Sequence, residues 1–357
     1  MPGQAEGLSK DEAAVYDRQI RLWGLEAQNK LRASSVLIVG VTALGAEFAK
    51  NIVLAGLKSL TLMDHQAVVQ QDLDTNFLFQ HAPETLGKNR AAAAAGKTTS
   101  LNPNVELNVV EKSLETQLNE LNEVGQEAFV RQFSLVVLID QDYDLVNRVD
   151  KLCRQANVRF MCGSVFGWCG YAFFDFDEHE FLMQVRSAQT CHVDVDDVSS
   201  NSKAQPMTTI EDEQFVKKAF PYPSFATAFH TEWSDKKLQR KAKRIIPSSY
   251  FAIKSMLRAQ RERLLTDDEE ANIKILKEIW EDEVRIGNQK PEEQSIQPEK
   301  FDHLFPPQLT PTAAVVGGMM GQEAIKTLSE GKDPLKNIFI YSALDTTGVM
   351  CDFPPPK

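Results

Sequence analysis

The chain has 357 residues, a formal net charge of −11 and 43% hydrophobic residues. That length suffices for one large domain or two ordinary ones with a sizeable core. The acidic balance argues against general nucleic-acid or membrane-surface binding, and no apolar run reaches the roughly 18–20 residues that a membrane-spanning helix needs.

The first residues, MPGQAEGLSKDEAAVYD, are polar and acidic. They resemble neither a secretory signal nor a mitochondrial presequence, so a nuclear location, alone or shared with the cytoplasm, is expected. Residues 1–15 are expected to be flexible. The run YDRQIRLWG, residues 16–24, carries Arg18 and Arg21, which share one face if the run is helical. Ser35–Val39 is a continuous apolar run of the kind that forms a buried parallel strand. Ala43–Ala55 has helical spacing and Gly56 stops it. Leu60–Met63 reads as a second strand ending at Asp64.

Gly87–Leu101 is alanine-rich and helical, and Asn102-Pro103 ends it. Val105–Val110 and Leu135–Ile139 read as strands, followed by a helix over Leu145–Ala156 and a strand over Val158–Cys162. Gly170–Phe176 and Glu180–Val185 read as shorter, more exposed strands. Residues 187–210 are rich in Ser, Asp, Asn and Gln and are expected to form a mobile loop. Residues 211–305 read as charged and mostly helical, with clear periodicity in Tyr250–Leu265 and Asp267–Ile286. The basic run Lys236–Arg244 reads as a solvated helix face, with an acidic partner surface or a localisation signal as alternatives. Pro311–Leu328 is an apolar helix, and its Gly317-Gly318 pair predicts close packing. Asn337–Ser342 and Gly348–Cys351 close the pattern as strands.

This alternation predicts an α/β fold: a doubly wound, mostly parallel Rossmann-like sheet with a large mixed α/β insertion. The expected division is residues 16–176 and 306–357 for the sheet domain and 177–305 for the insertion. The cysteines are Cys153, Cys162, Cys169, Cys191 and Cys351. None forms a C-x-x-C pair, so free thiols and no structural zinc are expected. Cys191 beside His192 is a weak candidate nucleophile, because adjacency in sequence is poor support for a catalytic pair.

Dinucleotide loops use glycine for the tight turn, for phosphate approach and for helix–strand packing. Gly40 and Gly45 hold the outer positions here, while Thr42 and Ala43 fill the middle. Asp64 stands where a ribose-binding acid belongs. These residues admit two readings, a nucleotide site or an inherited fold whose site is vestigial. Arg18 and Arg21 likewise suit either phosphate neutralisation, in trans if supplied by one subunit to another, or a surface salt bridge.

YDRQIRLWG, the strand–G-x-x-x-x-G–helix unit, LAGLKSLTLMD and AAVVGGMMGQEAIK together resemble the adenylation fold of ubiquitin-activating enzymes and bacterial sulfur-carrier adenylators. Within that family the chain is most similar to the small subunits of SUMO-activating enzymes. The resemblance implies a heterodimer whose large subunit carries ATP, magnesium, a structural zinc and the catalytic cysteine, with SUMO engaged through the complex. It implies no cofactor and no metal in this chain. It places Arg18 across the interface on the partner's ATP phosphates and gives Arg21 a supporting role. Two departures from the active pattern agree with a non-catalytic half. Residues 72–79, DLDTNFLF, lack the arginine of active halves, and Gln141, between Asp140 and Asp142, falls near the magnesium-binding position. Rival readings are a stand-alone homodimeric adenylating enzyme using Gly40 and Asp64, and a scaffold. A nicotinamide dehydrogenase is disfavoured by the broken glycine pattern.

Overall fold

The structure is a computed structural model and describes residues 10–80, 82–188, 211–231, 233, 239–240, 244–330 and 334–353. It opens with three short helices, α1 (Lys10–Val15), α2 (Asp17–Trp23) and α3 (Leu25–Ala33). Strand β1 (Ser35–Val39), helix α4 (Ala43–Ala55) and strand β2 (Ser59–Met63) follow. Helices α5 (Gln70–Thr75) and α6 (Arg90–Leu101) lead to β3 (Glu106–Val110). Helices α7 (Leu114–Asn119) and α8 (Glu123–Val130) precede β4 (Leu135–Ile139) and α9 (Tyr143–Ala156). The hairpin β5 (Arg159–Phe166) and β6 (Cys169–Asp175) comes next, then a ribbon of β7 (Glu178–Ala188) and β8 (Glu211–Pro221). Helices α10 (Phe225–Phe229), α11 (Ser248–Arg261), α12 (Glu269–Ile286) and α13 (Thr310–Ser329) precede β9 (Ile338–Ser342) and β10 (Thr347–Cys351).

Eight strands form one sheet in the order β10-β9-β6-β5-β4-β1-β2-β3. The five strands from β5 to β3 are parallel, and β6, β9 and β10 extend the sheet antiparallel. Side chains alternate across a strand, and here both faces are apolar. Val36, Ile38, Val137, Ile139 and Phe174 pack with α3, α4, α6 and α13 on one side. Leu37, Val39, Leu138, Tyr171 and Phe173 pack with α7 to α12 on the other. The fold is therefore the doubly wound, mostly parallel sheet that the strand–helix alternation predicts. The later helices join this sheet core: Phe225, Phe251 and Trp280 lie in the same apolar cluster as Tyr171 and Ile338.

Two local expectations are corrected. Strand β6 is buried along its whole length, because it lies between β5 and β9 with helices over both faces. Strand β8 occupies part of the stretch that reads as helical. Its charged sequence, EDEQFVKKAFP, pairs along its whole length with β7, and that partner is invisible to a local reading. Residues 189–210, which contain Cys191 and His192, lie outside the described residues, as does most of the basic run 236–244. Cys153, Cys162, Cys169 and Cys351 are free and buried. Burial pushes all four thiols up, that of Cys169 to about 12, which leaves them inert as nucleophiles.

At the root of the β7–β8 ribbon, Arg154 donates to both oxygens of Asp175, to Asp177 and to the Tyr222 carbonyl. Beside it, the wholly buried Asp150 accepts the Phe225 N–H at 2.8 Å. Burial, and then the neighbouring Asp175 carboxylate, raise the Asp150 carboxyl to about 8. The folded chain thus holds a proton that the unfolded chain releases near the ordinary value of about 4. Stability from this group is complete below that value and is lost as pH rises to about 8. Asp150→Asn keeps the geometry without the titration. It is expected to flatten the pH dependence of the melting temperature between pH 6 and about pH 8, measured by thermal unfolding in a buffer series.

Candidate functional site

The turn after β1 is built from close contacts. Gly40 has φ +99°, and a Cβ on it would sit 2.3 Å from the Ile139 carbonyl oxygen. A Cβ on Gly45 would sit 2.2 Å from the Gly40 carbonyl oxygen. Both glycines are thus required for α4 to approach β4, with or without a phosphate. The Asp64 carboxylate is used internally as well: it accepts the Val41 N–H and the Gln66 N–H, both at 2.8 Å. Asn76 closes the turn from outside by donating to the Val41 carbonyl.

The remaining space over the turn is taken by this chain's own side chains. The Gln141 amide donates to the Ile139 carbonyl at 2.8 Å and lies 3.1 Å from where a Gly40 Cβ would be. A phosphate laid on Gly40 would meet that amide. The Thr42 hydroxyl donates to Asp140 at 2.6 Å. In front of these groups lies a cavity of about 640 Å³, lined among others by Thr42, Asp64, Arg90, Gln141 and Arg261. Four arginines line this cavity, Arg90, Arg148, Arg261 and Arg263, and none of them stands out in the motif pattern; Arg90 lies nearest the turn's own acid network. It is tied to Asp72 at 2.9 Å and to Gln66, so its charge is already matched. No local pattern marks it, since its partner lies 18 residues away. The polar groups at the turn, Asp64, Thr42 and Gln141, are thus all engaged within the chain.

Arg18 and Arg21 lie elsewhere. The Tyr16 ring is buried against Gly56 at the end of α4, and its hydroxyl accepts from Asn102 at 2.9 Å. Gln19 donates to the Leu54 carbonyl, and Trp23 donates to Gln28, which in turn holds the Ala55 carbonyl. Helix α2 is thereby fastened to the end of α4 by the residues around Arg18. Arg18 is exposed and borders none of the described cavity around Gly40. Arg21 is also exposed and pairs with Asp17 at 3.1 Å, a contact of little energetic weight at this exposure.

Beside α2 runs an apolar groove lined by Leu22, Trp23, Asn51, Gly318, Gln322 and Ile325. Leu22 is 67% exposed, and Leu54 and Val315 are 44% and 39% exposed. The glycines of α13 divide between two faces. A Cβ on Gly317 would lie 2.8 Å from the Glu47 Cβ, and one on Gly321 would lie 2.6 Å from the Asn51 Cβ. These two allow α13 to lie against α4. Gly318 has nothing within 4 Å, so the close packing predicted for the glycine pair belongs to Gly317 and to the unremarked Gly321.

The chain belongs to the ThiF family, which it matches over residues 16–357. It is 45% identical to SUMO-activating enzyme subunit aos-1 of Caenorhabditis elegans over 98% of this chain and 99% of that one. It is 34% identical to SUMO-activating enzyme subunit 1 of Homo sapiens, over 96% of each chain. A solved structure titled PaaA superposes with a TM-score of 0.57 at 13% identity, over 98% of this chain and 76% of that one. At that identity the likeness speaks for the fold alone.

The glycine geometry separates two neighbouring positions. Gly317→Ala is expected to destabilise the isolated chain by about 1–3 kcal/mol through overpacking against α4. Gly318→Ala is expected to stabilise it by about 0.5–1 kcal/mol through reduced backbone freedom in the unfolded state. Chemical denaturation of the two variants checks the opposite signs.

Proposed function

We propose that this chain is the non-catalytic subunit of a heterodimeric SUMO-activating enzyme. The observation that carries the reading is the position of Arg18, exposed on a helix fastened by Tyr16 and Gln19 and beside an apolar groove. The names of its relatives support the choice of modifier. ATP and magnesium are bound by the partner subunit, and none is required in this chain. The partner also bears the cysteine that accepts SUMO. A nuclear location, with or without a cytoplasmic pool, goes with this assignment.

In the overall reaction the C-terminal carboxylate of SUMO attacks the α-phosphorus of ATP. The bond to the β-phosphate oxygen breaks, and pyrophosphate leaves. A thiolate of the partner then attacks the acyl carbonyl, AMP leaves and a thioester forms. The first step brings a carboxylate against a polyphosphate, so fixed cations lower its barrier by orientation and charge stabilisation. Arg18 supplies one such cation in trans, and a guanidinium suits phosphate oxygens through its fork of donors. Arg21, one turn further along the same helix and paired with Asp17, keeps a second cation near Arg18 in a supporting role.

The groove is the partner-facing surface in this reading. Gly318 is a glycine inside a helix where a Cβ would meet nothing within 4 Å among the described residues, and a partner backbone approaching closely there accounts for it. Apolar side chains around it are what a heterodimer interface buries.

Arg18→Ala is expected to leave assembly with the catalytic subunit intact and to slow ATP–pyrophosphate exchange by about 10²-fold. Exchange at the normal rate in the reconstituted pair would remove Arg18 from the mechanism. Calorimetry of the isolated chain with ATP and magnesium at millimolar concentration is expected to show no binding heat. Saturable binding with unit stoichiometry would instead favour a stand-alone adenylating enzyme.

A further inference from the structure

Asp140 stands at the end of β4, in the left-handed region at φ +52°, a conformation that costs a non-glycine residue roughly 1–2 kcal/mol. The residue is half-buried at the edge of the cavity, and both carboxylate oxygens are engaged. Oδ2 accepts from the Thr42 hydroxyl at 2.6 Å and from the Gln308 amide at 2.9 Å, while Oδ1 accepts the Val165 N–H at 3.1 Å. Gln308 also donates to the Val165 carbonyl at 3.2 Å. Burial raises the Asp140 carboxyl, and the Thr42, Gln308 and Val165 bonds pull it back.

The two donors on Oδ2 come from meaningful places. Thr42 is the residue that begins α4, and Gln308 lies two residues before α13. One carboxylate oxygen therefore bridges the starts of the two helices. Those helices touch along their length through Gly317 and Gly321, and Asn51 of α4 reaches the Gly317 carbonyl at 3.5 Å. Their outer residues Asn51, Gly318, Gln322 and Ile325 line the groove beside α2. The start of α13 is held by further bonds, from the Leu309 N–H to the Gly167 carbonyl and from Thr310 to the Thr75 carbonyl. Among the described residues Asp140 is the charged side chain that joins both helix starts directly.

We propose that Asp140 is a positioning residue for subunit assembly: through Thr42 and Gln308 it sets the placement of α13 on α4, and with it the groove that receives the partner. This rests on the heterodimer reading above. A carboxylate at the end of β4, next to the Gly40 turn, has in this view a role in assembly.

The test measures the dissociation constant for the catalytic subunit, with the full-length chain held well below its melting temperature. Asp140→Asn keeps the size but puts a donor where two donors point. It is expected to weaken assembly about ten-fold, the scale of a lost charge-assisted pair. Gln308→Leu removes one arm only, leaves Asp140 its Thr42 and Val165 bonds, and is expected to weaken assembly about three-fold. In the swapped pair Asp140→Asn with Gln308→Glu, the new amide can donate to the new carboxylate while the Val165 carbonyl loses its donor, so assembly should return in part, above that of Asp140→Asn alone. A core variant such as Ile340→Val, on the other face of the sheet from α4 and α13 and lowering the melting temperature, should leave the dissociation constant unchanged. Assembly of both Asp140→Asn and Gln308→Leu within two-fold of the unmodified chain would overturn the positioning role. Failure of the unmodified chain to bind the catalytic subunit would instead overturn the heterodimer reading.

Discussion

Helix α4 can lie where it does only because other chain segments approach it more closely than side chains would permit. Gly45 lets its first turn rest on Gly40, and Gly40 in turn rests on the end of β4. Gly317 and Gly321 let α13 press against its flank at Glu47 and Asn51. Gly56, in the left-handed conformation, ends the helix and leaves room for the Tyr16 ring. The Gly40 turn, the groove and the helix bearing Arg18 are all referred to this one element. Close packing of this kind transmits small displacements, because interiors have little free volume to absorb them.

The same contacts explain why glycines stand at positions 40 and 45 beside polar groups that bond within the chain. Gly40 and Gly45 are demanded by the approach of α4 to β4, and any side chain there would collide with a backbone carbonyl. The polar groups around them serve structural ends. Asp64 holds the turn through the Val41 and Gln66 N–H groups, Gln141 covers it, and Arg90 is matched by Asp72 and Gln66. A partial glycine pattern is thus a record of packing first and of ligand chemistry second. The tyrosine and glutamine of YDRQIRLWG have the same character, since Tyr16 and Gln19 anchor the helix while Arg18 projects between them.

Much of the sheet was legible in the chain itself. Continuous apolar runs bounded by glycine or Asn-Pro mark β1, α4, β4 and the end of α6 closely, because their burial and their breakers are local properties. The errors share a cause. Strand β6 was expected to be exposed because its burial depends on β9, which lies more than 160 residues further on. Strand β8 reads as helical because its pairing with β7 is not written in its own periodicity. Gly321 escaped notice because its neighbour, Asn51, belongs to a distant helix.

The sequence by itself determined the fold class, which rests on residue type and short-range spacing. Its resemblance to the adenylation family is what pointed to a class of chemistry and to Arg18 as the candidate cation. Only the tertiary structure decided how the candidate residues are used. It placed Arg18 away from the chain's own Gly40 turn, divided Gly317 from Gly318 between an internal and an open face, and brought Gln308 to Asp140 across 168 residues. The reason is physical. Periodicity and composition report which groups prefer burial, whereas hydrogen bonds and close contacts between distant segments exist only once the chain has folded and its backbones have met.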